Sequence, residues 1–212
     1  SDWYATDSVY RNNTIDEIDQ TGIQMIGSSS YPITNVTFAN NAIRNVGRTG
    51  NAPAITLWEA AEVSITGSTV SGGRIAVGNV TSITARDNDY GNASSGIKIH
   101  ANVSDLRFES ATFTNVTRAV WMNTSADDVV GNVTVVDANV TTDTGTVRFE
   151  DVPPSEVDVT NLTLADGTSV DAAGHNASLA LDQDPSGGTF PANYSDVGAF
   201  LNLSEQGAGA QI

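Results

Sequence analysis

The chain has no cysteine, a single lysine (Lys98), two methionines and no apolar run approaching the length of a membrane-crossing helix. Without cysteine there is no disulfide framework and no thiolate metal site, and the composition is silent on redox compartment. Cations are scarce: eight Arg and Lys98 stand against 25 acidic residues, for a net charge of −16. Such a surface repels nucleic acid and anionic lipid, which argues against nucleic-acid binding and against direct membrane insertion. Nothing resembles a signal peptide. Because the chain begins at Ser1 and not Met, it is expected to be a processed or excised piece, with any signal or anchor lying outside it.

Apolar residues make up only 39% of the 212 positions, and the balance is rich in Gly, Asn, Ser and Thr. These residues favour turns and pleated surface over helix interior, so an all-β chain in one main domain is expected. The acids are spread along the chain instead of forming a tail, which suits concentrated salt. A Debye length of roughly 3 Å at 1 M salt screens the acid–acid repulsion that opposes folding. An ordinary acidic surface has the same composition.

Short apolar runs recur at Ile23–Ile26, Ala54–Trp58, Arg74–Val77, Gly96–Ile99, Arg118–Trp121 and Gly145–Phe149. Each is followed by an alternating run: Ile33 to Phe38, Val63 to Thr66, Ile83 to Ala85, Leu106 to Phe108, Val133 to Val135 and Val157 to Val159. Alternation at period two marks a strand with one buried face. A third apolar touch follows at Ile43, Val70, Tyr90, Phe113, Val140 and Leu164. Two or three strands in a unit of about 22 residues suit one solenoid coil. An antiparallel sandwich has similar local patterning, but nothing in it requires resemblance at a fixed lag. Here Gly96-Ile97-Lys98-Ile99 aligns with Arg118-Ala119-Val120-Trp121 at an offset of 22, and Phe108 with Val130 keeps it. A single-stranded parallel β-helix of about six to seven coils is therefore expected.

The phrase Ile33-Thr34-Asn35-Val36-Thr37-Phe38-Ala39-Asn40-Asn41-Ala42-Ile43, and more loosely Asn79-Val80-Thr81-Ser82-Ile83, resembles the coils of right-handed parallel β-helix proteins of the pectate-lyase-like superfamily. The resemblance covers about residues 20 to 170. It implies an architecture and leaves activity open, since that fold hosts lyases, hydrolases, epimerases, viral tailspikes and adhesins. The acidic, lysine-poor composition looks most like haloarchaeal surface proteins of this class. The expected division is a cap or incomplete coil over 1–19, with Val9, Ile15 and Ile18 facing inward, the β-helix over 20–180, and a cap, linker or tail over 181–212.

Thirteen Asn-x-Ser/Thr sequons occur, at Asn12, Asn35, Asn79, Asn92, Asn102, Asn115, Asn123, Asn132, Asn139, Asn161, Asn176, Asn193 and Asn202. Chance would give about four, so an N-glycosylated protein exposed outside the cell, or on a virion, is one reading. The other is that a repeat containing Asn-Val-Thr multiplies itself, Asn suiting the turn and Val-Thr the strand. Asn12, Asn92, Asn123 and Asn193 look as if they fall outside the repeated position, which favours modification.

A glycosidase of this fold needs two carboxylates about 5 to 9.5 Å apart, and a lyase a base, usually with Ca²⁺ on an acidic cluster. No catalytic residue is assigned. Asp87 and Asp89, alternating on one strand face, and Lys98 with His100 one coil later are the one cluster where a mutational search would start, with Glu109 expected beside Asp87 in the next coil. The paired-Asp, Gly-His-Gly and Asp-Pro-His-Asp strings of the polygalacturonase, pectate-lyase and epimerase families are missing. Asp127-Asp128 and Asp182-Gln183-Asp184 are places where Ca²⁺ could bind loosely, and no other cofactor is expected. His175 reads as a turn residue. Trp58 and Trp121 read equally as core plugs or lip residues, and Trp3 and Tyr4 as part of the N-terminal cap. The leading expectation is a non-catalytic extracellular module, a stalk, adhesin, filament or virion-surface component that associates with itself or with neighbouring surface proteins and glycans. The competing one is a polysaccharide lyase or glycoside hydrolase acting on acidic glycans.

Overall fold

A computed structural model describes residues 6–46, 52–122, 130–140, 148–150, 157–163 and 169–172. The first coil consists of β1 (Thr6–Arg11), β2 (Thr14–Asp16) and β3 (Ile23–Ile26). Next come β4 (Ile33–Ala39), β5 (Ala42–Arg44) and β6 (Ile55–Thr66), then β7 (Thr69–Ser71), β8 (Ile75–Arg86) and β9 (Asp89–Ile99). They are followed by β10 (Val103–Glu109), β11 (Thr112–Met122), β12 (Val130–Val136), β13 (Asn139–Val140) and β14 (Arg148–Glu150). The last two are β15 (Val157–Thr163) and β16 (Ser169–Ala172).

These strands stack in three parallel ladders. The first sheet runs β1-β4-β6-β8-β10-β12-β15 and the second β2-β5-β7-β9-β11-β13. The third is built from β3, the first halves of β6 and β8, the ends of β9 and β11, and β14. Strands β6, β8, β9 and β11 are long because each turns from one sheet into the next. The three apolar runs per repeat are these three sheets: Ile43, Val70, Tyr90, Phe113 and Val140 stand in one column of the second sheet, and Ile23, Ile55, Ile75, Ile97, Val120 and Phe149 in one column of the third. All pairings are parallel except β15 with β16, so the solenoid pattern stops at Thr163 among the described residues. The best-defined stretch amounts to about four turns, slightly fewer than the six to seven coils expected of the whole chain.

Two registers differ from the repeat reading. Ile97 pairs with Val120 and Lys98 with Trp121, an offset of 23, while Phe108 pairs with Val135 and not Val130. Coil length varies because the connections vary, and a parallel ladder constrains only the strands. The first coil also departs from expectation. Residues from Thr6 onward already pair with β4 and β5, Ile15 packs on the core, but Val9 and Ile18 are exposed. Tyr10 takes the inward place, stacked on Phe38 with ring centroids 5.4 Å apart.

The interior is a continuous column of aliphatic side chains, thickened by Tyr90, Phe108 and Phe113, whose centroids lie 5.3 to 5.8 Å apart. Between the first and second sheets the chain turns within two residues. The first of them is left-handed in every described coil: Asn12, Asn40, Gly67, Asp87, Ser110, Asp137 and Asn161 have φ between +51° and +58°. The second is buried at Asn41, Ser68, Asn88, Ala111 and Ala138, while Asn13, the equivalent residue of the first coil, is exposed. Asn88 is fully buried; its Nδ2 donates to the Ile65 carbonyl at 2.7 Å, and its Oδ1 accepts from the Ser68 N–H at 2.8 Å. Asn41 repeats the motif one step earlier, donating to the Tyr10 carbonyl at 2.9 Å and accepting from the Asn13 N–H at 3.0 Å. The Asn13 amide instead turns back to donate to Asn41 at 2.9 Å.

Two predictions follow the corner geometry. Asn88→Ala strands the buried Ile65 carbonyl and Ser68 N–H together, and is expected to cost about 2–4 kcal/mol in urea unfolding. Ser82 occupies a left-handed position (φ +61°) in the middle of β8 without the amide that favours it. Ser82→Asn is expected to raise stability by about 0.5–1 kcal/mol, read as an increase in melting temperature.

Candidate functional site

The sequons meet the fold in a specific way. Besides the corner, three more columns of left-handed residues run along the solenoid. One crosses the middle of the first sheet through Asp7, Asn35, Glu62, Ser82, Asp105 and Asn132, one follows the second sheet through Glu17, Asn45, Gly72, Asn92 and Asn115, and a third pairs Glu59 with Asn79. Asn and Asp tolerate this backbone best among residues with a Cβ. Their side chains then reach the adjacent coil: Asn35 Nδ2 donates to Asp7 at 2.6 Å, Asn132 to Asp105 at 2.7 Å, Asn161 to Asp137 at 2.8 Å and Asn79 to Glu59 at 2.9 Å.

Nine sequon asparagines lie among the described residues, and seven of them, Asn12, Asn35, Asn79, Asn92, Asn115, Asn132 and Asn161, belong to these columns. Asn12 and Asn92 are thus repeat positions, contrary to the sequence reading. Asn102 and Asn139, at the entries to β10 and β13, lie outside the columns and are exposed. Except for half-buried Asn79, the described sequon residues are solvent-exposed. Asn123, Asn176, Asn193 and Asn202 lie outside the described residues, as do His175, Asp127-Asp128, Asp182 to Asp184, Trp3, Tyr4 and Leu164.

The cluster named for chemistry is divided by the fold. Asp87 occupies the left-handed corner and Asp89 opens β9, both exposed, with the buried Asn88 between them. They do not alternate along one strand. Lys98 stands near the other end of β9, in the third sheet, with only 9% of its surface exposed. The expected neighbour Glu109 is present: its carbonyl accepts the Asp87 N–H at 2.9 Å. Its carboxylate, however, accepts from Arg86 at 2.9 Å and Arg107 at 3.3 Å, and the Arg86 hydrogen bond holds its pKa below the usual carboxylate range. Among the described residues no three His, Asp or Glu gather as a metal site would require.

What sequence reading missed is the outer face of the third sheet. Inward residues Ile55, Leu57, Ile75, Val77, Ile97 and Ile99 are fully buried, so Thr56, Ala76, Lys98 and Trp121 form one outward column and Trp58, Gly78 and His100 the next. The Lys98 ammonium sits 4.0 Å from the centre of the Trp121 ring. The Trp58 indole lies on Gly78, where a Cβ would run into the ring. Neither tryptophan is a core plug. Arg74, just before β8, belongs to the same face. Burial holds the Arg74 pKa below its ordinary value. Burial first, and then the charges of Lys98 and Arg74, push His100 below the usual histidine value. The signal that could have found this face is parity: Trp58, Arg74, Lys98 and His100 each sit one residue, an odd step, from the buried Leu57, Ile75, Ile97 and Ile99, and Trp121 is in register with Lys98.

The stacked coils define the class as a parallel β-helix, and comparison with known families agrees. The model of the right-handed β-helix region matches residues 3–150, well over half of the chain, and the chain belongs to that family. No curated protein and no solved structure matches it.

The His100 environment has a measurable consequence. The unfolded chain takes up a proton near pH 6.5, whereas the folded chain does so only at lower pH. Between those values the unfolded state binds more protons, so stability rises with pH through the window and levels off above it. His100→Gln is expected to flatten that part of the stability profile measured by denaturant unfolding at stepped pH.

Proposed function

We propose that the protein is a non-catalytic extracellular module, a stiff glycosylated rod serving as a stalk, surface filament or virion-surface component in salty water. The observation that supports this reading is the set of left-handed columns. At most of the coils a short polar side chain faces outward and hydrogen-bonds to the coil before it, as Asn35, Asn45, Asn79, Asn92, Asn115, Asn132 and Asn161 do, which stiffens the stack and leaves rows of amides and carboxylates on its surface. A rod of this kind works by geometry, holding whatever it carries at a set distance and presenting a long face to neighbours. Sequons on these rows would place glycans along the same face, and the acidic excess would keep the rods apart in dilute solution and soluble in concentrated salt.

The rows also limit how many glycans fit. Asn115 Nδ2 donates to the Asn92 oxygen at 3.1 Å, so these two sequons occupy adjacent coils. Adjacent coils are about 4.8 Å apart, too close for two branched glycans to leave side by side. Glycopeptide mapping of protein from its native host is expected to find Asn92 or Asn115 modified in a given molecule, but not both. Entirely unmodified protein would defeat the glycoprotein reading. The competing lyase or hydrolase reading has its own test, incubation with uronic-acid polymers with and without Ca²⁺. The rod reading expects no shortening of the polymer in either condition.

A further inference from the structure

We propose that the N-terminal end of the solenoid is a docking surface for the same end of a second copy of this chain, the two β1 strands pairing antiparallel about a two-fold axis at Val9. The first argument is that this end is open. Among the described residues β1, β2 and β3 have a partner strand on one side only, namely β4, β5 and β6. Inward Tyr10, Ile15 and Ile23 are half-buried, whereas Phe38, Ile43 and Ile55, in register with them one coil on, are fully buried. The same three line a hollow of about 350 Å³ at the end of the core. The large apolar side chains that stand exposed among the described residues, Val9 at 53%, Ile18 at 36% and Tyr31 at 62%, all belong to this coil and the turn that leaves it.

The second argument is complementarity. The alternate positions Asp7, Val9 and Arg11 of β1 are exposed, an acid and a base placed symmetrically about an apolar residue. A second β1 turned about Val9 sets each Asp7 opposite Arg11 of the partner subunit and Val9 against its own copy. Cross-strand pairs of opposite charge are favourable. The main chain suits the same axis. The Asn12 N–H turns toward β4 to reach the Ala39 carbonyl at 3.0 Å, and main-chain groups alternate sides along a strand, so those of Val9 and Arg11 face the open edge. The Asn35 amide donates to Asp7 Oδ1 at 2.6 Å, which fixes that carboxylate beside the edge.

The third argument is closure. The far end of the first sheet finishes in β16, which lies antiparallel on β15 and so breaks the ladder that a further parallel coil would continue. A head-to-tail stack needs a parallel edge at both ends, whereas contact between like ends needs only the open one and closes at two copies. Pairing like ends also takes the half-buried apolar groups of both cores out of water together. This contact goes beyond the rod reading and is tested apart from it: glycopeptide mapping and polymer cleavage bear on the rod, and the state of association bears on the contact.

The test is sedimentation velocity of the whole chain over a concentration series in roughly 0.5 M NaCl, where a screening length of about 4 Å suppresses repulsion between two bodies of charge −16 but spares a contact ion pair. A monomer–dimer equilibrium with no larger species is expected. Arg11→Asp sets acid against acid in both charge pairs and Asp7→Lys sets base against base, so each variant alone should associate about tenfold more weakly. Mixed in equal amounts, the two restore both pairs and should associate as the wild type does. A second measurement serves if Asp7→Lys does not keep the wild-type circular dichroism spectrum. In a chain with no other cysteine, Val9→Cys should form a disulfide-linked dimer on mild oxidation much faster than Thr84→Cys, which is exposed on the same sheet two coils away. A chain monomeric at every concentration, its own residues 1–5 then being the occupant of this end, would overturn the proposal. So would a mixture of folded variants that associates no better than either alone, or equal rates of linkage at the two cysteines.

Discussion

Everything in this molecule depends on the parallel main-chain ladder between successive coils, and on the chain's ability to turn sharply enough to re-enter it. A parallel strand pair cannot be closed by a tight hairpin, so each coil must travel round three sides before meeting its own successor. The turn between the first and second sheets achieves this in two residues, and only because the first is left-handed. Asn, Asp and Gly dominate that position for the reason that they enter this region at least cost. The buried Asn41 and Asn88 then satisfy the main-chain groups that so tight a corner would leave inside the protein without partners. Where Ala111 and Ala138 take over, the same inward place is filled by a small apolar group beside the Tyr90, Phe108 and Phe113 cluster.

This constraint accounts for much of what first looks like function. The excess of sequons is in large part a by-product of the left-handed columns: a residue that tolerates positive φ, then an inward Val, then an outward Thr, is both a strand kink and an acceptor motif. The two meanings are compatible, since a modified amide nitrogen keeps one N–H for the ladder. They are nevertheless separable, because Asn102 and Asn139 are sequons that no left-handed column requires. The acidic rows have a similar double origin. Asp7, Asp87, Asp105 and Asp137 are acids, but each holds a backbone conformation, and three of them accept a hydrogen bond from the asparagine of the next coil.

The third sheet is where the chain departs from its own rules. On the first sheet Arg86 and Arg107 are the outward cations, and both pair with Glu109. Here Trp58, Lys98 and Trp121 stand among the small Thr56, Ala76 and Gly78, and the Trp58 ring lies on Gly78 of the neighbouring coil. Trp58 requires Gly78, and Lys98 lies over Ala76, so this face was shaped across coils and not within any one of them.

The sequence by itself determined the three apolar columns, the parallel architecture and the identity of nearly every core residue, because strand alternation and coil repetition are written in residue order. It did not determine the register, since Ile97 meets Val120 at an offset of 23 and Phe108 meets Val135, and connection length is not bound by the ladder. It also placed Val9 and Ile18 inward, whereas Val9 pairs with outward Thr37 and it is Tyr10 that pairs with buried Phe38. Above all, Asp87, Asp89 and Lys98 are near in sequence yet lie on different sheets, while Arg74, Lys98, Trp58 and Trp121 are distant in sequence yet share one face. Which outward residues become neighbours depends on how long each intervening loop is, and only the stacked structure decides that.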